Sequence, residues 1–216
     1  MKKDCMDIVK SKCEKCTECT LSKTRTNPVF ADGNPETAKI VLIGEAPGET
    51  EDETGKPFVG RAGQLLSQFM SHAGISREED LYITNTVKCR PPENRVPSDE
   101  EIAACAKFLE AQITVINPRA ILLCGATALK SFYQGDKKTT ISKIRGQWFD
   151  VNVEGKTYPA MAIFHPSYLL RNHSREVGSP RRLMEQDLNE VKSSKLADIN
   201  HDIHTINLSG HKLMPV

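Results

Sequence analysis

The chain has 216 residues with 29 Lys and Arg against 28 Asp and Glu, a net charge of +1, so no global positive field recommends it for nucleic acid, and any such contact must come from local basic stretches. Hydrophobic residues make up 38% and charged residues 26%, the balance of an ordinary globular protein with one good core, and no apolar run approaches the roughly 20 residues that cross a bilayer. The basic start MKKDCMDIVKSKCEKC has no apolar stretch behind it, so a secretory signal is not expected and the cytoplasm is the expected compartment.

Residues 1–20 read as a short helix running into a cysteine-rich knuckle. Four segments then have the look of buried strands that stop abruptly at polar, Gly or Pro residues. They are Ala38 to Ile43, ending in GEAPG; Leu81 to Thr84, ending at Asn85; Ala120 to Leu123, ending in Cys124-Gly125; and Ala160 to Phe164, ending in His165-Pro166-Ser167. Helical patterns lie between them. Leu65, Leu66, Phe69, Met70 and Ala73 form one apolar stripe. A second helix starts at Ser98 with Glu101 in capping-box position and is stopped by Asn117-Pro118. Two further helices are expected from Ala126 to Tyr133 and from Arg181 to Lys192, and residues 134–158 read as an excursion or hairpin before the last strand.

Alternation of this kind predicts a single three-layer α/β domain over residues 1–195, with a central, mostly parallel, four-stranded sheet flanked by helices. Residues 196–216 carry no clear period and read as a loosely attached tail. The acidic run Glu49, Glu51, Asp52, Glu53 reads as a solvated loop or helix start.

Ligands of parallel α/β sheets bind beyond the carboxyl ends of the strands. Three such ends supply Glu45, Asn85 and His165, and their convergence points to an active site. The seven cysteines (Cys5, Cys13, Cys16, Cys19, Cys89, Cys105 and Cys124) are an odd number in a chain expected to stay reduced, which favours ligation over disulfides. Cys13, Cys16 and Cys19 make two overlapping CxxC units that need sulfurs from elsewhere, and Cys89 and Cys105 are the candidates. Cys124 reads as core. Spacing alone does not separate zinc from an iron–sulfur cluster.

The motifs GEAPGETED (44–52), GKPFVGRAGQLL (55–66), YITNTVKCRPPENR (82–95), HPSYLLRN (165–172) and GSPRRL (178–183), in this order and with the cysteines interleaved, resemble the family 4 uracil-DNA glycosylases over about residues 15–196. That resemblance implies the glycosylase-like form of the α/β sheet and a [4Fe–4S] cluster on Cys16, Cys19, Cys89 and Cys105, leaving Cys13 spare. It implies a DNA repair enzyme that flips uracil out of single- or double-stranded DNA and hydrolyses its N-glycosidic bond. Uracil would be bound by Glu45, Ala46, Pro47, Phe58, Asn85 and His165, with His165 and Glu45 closest to the chemistry. Ala46 stands where other uracil-DNA glycosylases carry an Asp or Asn that positions water. Leu169, Leu170 and Arg171 resemble a wedge that fills the vacated stack, and Arg175 adds to the DNA contact. Lys88, Arg90 and Arg95, and the group Lys137, Lys138, Lys143 and Arg145, are further candidates for phosphate contact. A monomer is expected, near the bacterial nucleoid, with a sliding clamp or other repair proteins as candidate partners.

Overall fold

The computed structural model describes residues 1–136 and 138–196. The strands are β1 (Ile40–Gly44), β2 (Leu81–Asn85), β3 (Ala120–Cys124), β4 (Trp148–Val153) and β5 (Lys156–Ile163). The helices are α1 (Lys2–Glu14), α2 (Glu49–Thr54), α3 (Arg61–His72), α4 (Asp99–Ile116), α5 (Ala126–Phe132), α6 (Ile141–Ile144), α7 (Pro166–Leu170) and α8 (Pro180–Val191). The strands form one sheet in the order β2-β1-β3-β5-β4, parallel throughout except for the antiparallel pair β4–β5.

The sheet therefore has five strands and not the expected four. The fifth, β4, comes from the excursion, which closes as a hairpin: Val153 pairs with Lys156 across Glu154 and Gly155, both at positive φ, as a tight two-residue hairpin turn requires. Its sequence WFDVNV is half exposed, the alternating pattern of an edge strand rather than the continuous apolar run of β1, β2 and β3, which are buried on both faces.

Side chains alternate between those faces. Val41, Ile43, Tyr82, Ile121 and Leu123 pack with α1, α4 and α5 through Met6, Phe108, Ile113 and Leu129. Ile40, Leu42, Ile83, Leu122 and Met161 pack with α3, α7 and α8 through Leu66, Met70, Leu169, Met184 and Leu188. The result is a helix–sheet–helix sandwich. The capping box at Ser98 and Glu101 forms as expected, and Asn117 ends α4 in a left-handed conformation.

The acidic run is a helix start, as one of its two readings has it: it opens α2, with Glu49 and Glu53 exposed, but Glu51 and Asp52 turn inward. Asp52 is 4% exposed, and its carboxylate accepts the backbone N–H groups of Thr26 at 2.9 Å and Asn27 at 3.3 Å. Glu51 accepts from the N–H groups of Val59 at 2.9 Å and Gly60 at 2.7 Å, capping the start of α3. Leu196 is buried, so ordered packing reaches one residue into the expected tail; the remainder of that tail lies outside the described residues. Among the described residues no helix is long and apolar enough to cross a membrane.

Candidate active site and cysteine centre

The strand order reverses at β1, with β2 on one side and β3, β5 and β4 on the other. A crevice forms at such a switch point because the connections on either side leave in opposite directions. Glu45 follows β1, Asn85 ends β2 and His165 follows β5, all at the carboxyl edge of the sheet. Gly44 and Asn85 stand in register at the ends of β1 and β2. Glu45 is half-buried, Ala46 half-buried and Pro47 buried. The Glu45 backbone carbonyl accepts from Val87 N–H at 3.3 Å and from the Thr86 hydroxyl, and its carboxylate accepts from the hydroxyl of Thr127 on α5.

Phe58 reaches this crevice from the loop before α3 at a cost. Its φ is +53°, a left-handed conformation that a bulky residue adopts only when its surroundings impose it. Two glycines make the room. A Cβ on Gly63 would lie 2.0 Å from the Phe58 carbonyl, and one on Gly44 would lie 2.4 Å from Asn85 Oδ1 and 2.5 Å from the Phe58 ring. Gly44 is thus the floor on which an amide and a phenyl ring meet. The Phe58 and His165 rings follow, with centroids 6.0 Å apart and planes tilted by 40°. The predicted trio of positions 58, 85 and 165 is brought together.

Asn85 is 2% exposed, and its Oδ1 is a buried side-chain oxygen with no hydrogen-bond partner among the described residues. Leaving such an acceptor unpaired costs about 1–3 kcal/mol. Folding alone has no use for it; a ligand N–H does.

His165 caps α7. Its Nδ1 accepts the backbone N–H of Ser167 at 3.2 Å and lies 2.7 Å from the Ser167 hydroxyl. A backbone N–H only donates, so Nδ1 carries the lone pair and the single proton of the neutral ring sits on Nε2. Burial pushes the imidazole pKa down to about 4, against a smaller opposing pull from the Glu51 charge. The site therefore holds a neutral N–H donor at physiological pH.

The expected wedge is only partly exposed. Leu169 is fully buried in the core beneath α7, whereas Tyr168 and Arg171 are exposed and Leu170 half-buried. The five-residue helix turns Leu169 inward, so Tyr168 takes its place at the surface. Arg175 is exposed. Arg181 donates to the carbonyls of Leu169 at 3.1 Å and Asn172 at 2.9 Å, stapling this segment to α8.

Several basic residues expected to be free for phosphate are committed elsewhere. Lys88 is 1% exposed, with Nζ donating to the Gln112 Oε1 at 2.7 Å, the Asn85 carbonyl at 2.8 Å and the Thr84 hydroxyl. Arg95 pairs with Glu101 at 2.7 Å, Arg90 with Glu49 at 3.3 Å, and Arg145 with the buried Asp187. Lys137 lies outside the described residues.

Cys16, Cys19, Cys89 and Cys105 line one hollow, together with Arg25 and Lys88. The expected ligand set is thus assembled from α1's end, the turn after it, the loop after β2, and α4. Cys13, expected to be spare, lines the same hollow and is 1% exposed. Cys124 is core, as expected, and Cys5 is exposed. The Arg25 guanidinium donates to Cys89 Sγ at 3.1 Å, and the Lys88 backbone N–H to Cys105 Sγ at 3.3 Å. Burial raises the Cys13 thiol to about 12 and the Cys105 thiol to about 11, because a thiolate there would lose its solvation. Thr20 and Arg95 both donate to Glu101, at 3.1 and 2.7 Å, fastening the knuckle and the 86–98 loop to α4.

Two larger hollows lie elsewhere, one between α3 and α8 beside Arg175 and one between α1 and α4 beside Lys107. Neither touches Asn85 or His165. The strand-end crevice remains the better candidate, because empty space carries no chemistry and the crevice holds an unpaired acceptor, a tautomer-fixed donor and a strained aromatic ring.

Sequence reasoning missed Thr127, Arg25, Glu51 and the buried role of Lys88. Only Glu51 and Lys88 sat inside quoted motifs, and nothing in a motif says whether a charge turns inward.

Residues 30–191 match the model of the uracil DNA glycosylase superfamily. The chain is 51% identical over 192 residues to a type-4 uracil-DNA glycosylase of Thermotoga maritima, covering 89% of this chain and 95% of that one. It is 38% identical over 215 residues to a type-4 enzyme of Saccharolobus solfataricus, covering 97% and 96%. A third type-4 relative, from Archaeoglobus fulgidus, is 44% identical over 157 residues, covering 72% and 78%.

Proposed function

Since the chain belongs to the uracil DNA glycosylase superfamily, and within it to the type-4 enzymes, we propose that Asn85, Phe58 and His165 enclose one everted uracil while its N-glycosidic bond is hydrolysed. The activity is that of a DNA repair glycosylase that removes uracil from DNA. The observation that carries the site assignment is the buried, unpartnered Oδ1 of Asn85.

A base stacked in DNA is out of reach, so the nucleotide must swing into the crevice. There Asn85 Oδ1 accepts from uracil N3–H while the amide NH2 donates to O4. Cytosine presents the opposite polarity at both atoms and would leave buried groups unpaired. Phe58 stacks on the ring. His165, holding its proton on Nε2, donates to uracil O2 as negative charge gathers there on bond cleavage. A donor aimed at charge that appears only in the transition state contributes about 3–4 kcal/mol. Water adds hydroxide to the sugar C1′, its proton ends on the uracil, and free uracil and an abasic site result.

Ala46 has no side chain to hold that water. Leaving-group stabilisation by His165 and the negative charge of Glu45 beside a cationic sugar therefore carry the step, with backbone groups of the 45–47 loop against the base and sugar. Tyr168 and Arg171, with the half-buried Leu170, form the wedge, and Arg175 contacts the phosphates. Asn85, Phe58 and His165 all come from one chain, which supports a monomer acting on DNA.

Cys16, Cys19, Cys89 and Cys105 are read as the ligands of a [4Fe–4S] cluster. Five thiols round one hollow, these four and Cys13, with Arg25 and Lys88 as adjacent cations and N–H donors to sulfur, suit a negatively charged thiolate cluster. When bound, it supplies a rigid covalent hub joining the knuckle, the 86–98 loop and α4; hydrolysis calls for no electron.

A glycosylase assay on otherwise identical oligonucleotides carrying U, T or C tests this reading. Free uracil is expected from the first and no base from the others. Release of cytosine at a comparable rate, or no uracil release, contradicts it.

A further inference from the structure

We propose that Arg77 is a positioning residue for the base pocket, one guanidinium that sets the separation between its stacking wall and its hydrogen-bonding wall. Arg77 lies in the turn between α3 and β2 and touches neither Asn85 nor the Phe58 ring. Its side chain is 18% exposed, and all five of its N–H donors are spent. Nη1 donates to the Phe58 carbonyl at 2.9 Å and to the Ser67 hydroxyl at 3.1 Å. Nη2 donates to the Pro57 carbonyl at 2.7 Å and to Asp32 Oδ2 at 3.0 Å, and Nε donates to the same carboxylate oxygen at 3.2 Å.

These partners belong to the two walls. Pro57 and Phe58 are the loop that delivers the aromatic ring, and their two successive carbonyls are held while Phe58 sits at its left-handed φ of +53°. Asp32 belongs to the other wall. Its backbone forms a bridge with Ile83, N–H to carbonyl at 3.0 and 2.7 Å in the two directions, and Ile83 lies two residues before Asn85 on β2. A planar fork thus ties the strained loop to the segment paired with the asparagine strand. Lysine, a single point charge on a flexible stem, cannot hold two carbonyls and a carboxylate in one plane. Released from the clamp, Phe58 is free to relax its strained backbone and move off the line that Gly44 and Asn85 define.

The inference rests on the reading that Phe58 and Asn85 line the pocket, and the test separates the two. Arg77→Lys, Arg77→Met, Asp32→Asn and Phe58→Ala are compared for kcat, for KM with a uracil oligonucleotide, and for the inhibition constant of free uracil. That constant is independent of how much protein is active. Both Arg77 variants are expected to lose about tenfold to a hundredfold in kcat, with uracil inhibition weakened to a similar extent and KM changed less than about threefold. Asp32→Asn keeps the bonds to Pro57 and Phe58 and is expected to shift the same constants in the same direction by less. It serves alone if the Arg77 variants fail to fold. Arg77 and Asp32 variants that melt earlier but keep the wild-type uracil inhibition constant overturn the proposal, leaving a purely structural arginine. If Phe58→Ala also leaves kcat and uracil inhibition unchanged, the pocket reading itself fails; if Phe58→Ala impairs both and the Arg77 and Asp32 variants impair neither, only the clamp fails.

Discussion

The base pocket and the cysteine centre lie at either end of the same short segment, Asn85 to Cys89, yet they treat polar groups in opposite ways. At the cysteine centre each charge has a partner: Arg25 and the Lys88 N–H meet sulfur, Lys88 Nζ meets Thr84, Gln112 and the Asn85 carbonyl, and Glu101 takes Arg95 and Thr20. At the pocket an amide oxygen is buried without a partner, a phenylalanine is held in a left-handed conformation, and a histidine is desolvated until it is neutral. A region that only holds the fold together satisfies itself. A region that must satisfy something else stays incomplete, and its cost is carried by neighbours such as Lys88, which grips the backbone of Asn85 from the saturated side.

Substitutions should separate the two regions by kind as well as size. The largest effect is expected from Cys105→Ala, which removes a proposed cluster ligand and with it the proposed hub that anchors the loop after Asn85. Iron content and visible absorbance fall to background, and activity with them. Cys13→Ala, in the same hollow, keeps its iron; loss of iron there reassigns the ligand set. Next comes Asn85→Asp, which replaces the NH2 donor by a carboxylate oxygen facing uracil O4. A loss of about a thousandfold in uracil release is expected, with iron content and melting temperature close to wild type.

His165→Ala follows, with kcat down about a hundredfold to a thousandfold and DNA binding spared. In the wild type, activity should stay flat as pH crosses the ordinary imidazole range and fall only as it approaches about 4. The stability sign is fixed by the same shift. The unfolded imidazole binds its proton first, so stability rises with pH between about 4 and 6.5, and His165→Gln flattens that slope. An activity profile with an inflection near the usual histidine value would contradict a neutral, desolvated donor.

The smallest effect belongs to the saturated side. Glu101→Gln weakens the tie among Thr20, Arg95 and α4 and is expected to lower the melting temperature by about 2–4 °C, for roughly 1 kcal/mol. The Arg95 hydrogen bond holds the Glu101 carboxyl down to about 2. The unfolded carboxyl protonates first, so the difference from wild type is present above the ordinary carboxylate value and shrinks as pH falls toward that lower one.

Much of this layout is legible in the sequence. Buried strands announce themselves as unbroken apolar runs, and the residues that interrupt them, Glu45, Asn85 and His165, fall at one edge because parallel strands share a direction. The Ser98–Glu101 box is local chemistry and forms as read. What stays hidden depends on partners distant in the chain. The hairpin over 134–158 is one of the two readings the sequence offers, but β4 is not told apart as a fifth strand, because a half-exposed edge strand shows only weak alternation. Leu169 reads as part of a wedge because one turn of helix does not reveal which side faces inward. Glu51, Asp52 and Lys88 looked like surface charge because their partners are backbone groups and side chains that only the folded chain brings near.

The most direct measurement is a crystal structure of the protein with uracil bound. Uracil N3 is expected at about 2.7–3.2 Å from Asn85 Oδ1, with the ring on Phe58 and O2 facing His165 Nε2. Uracil seated elsewhere, with the Asn85 oxygen still without a partner, would contradict the account.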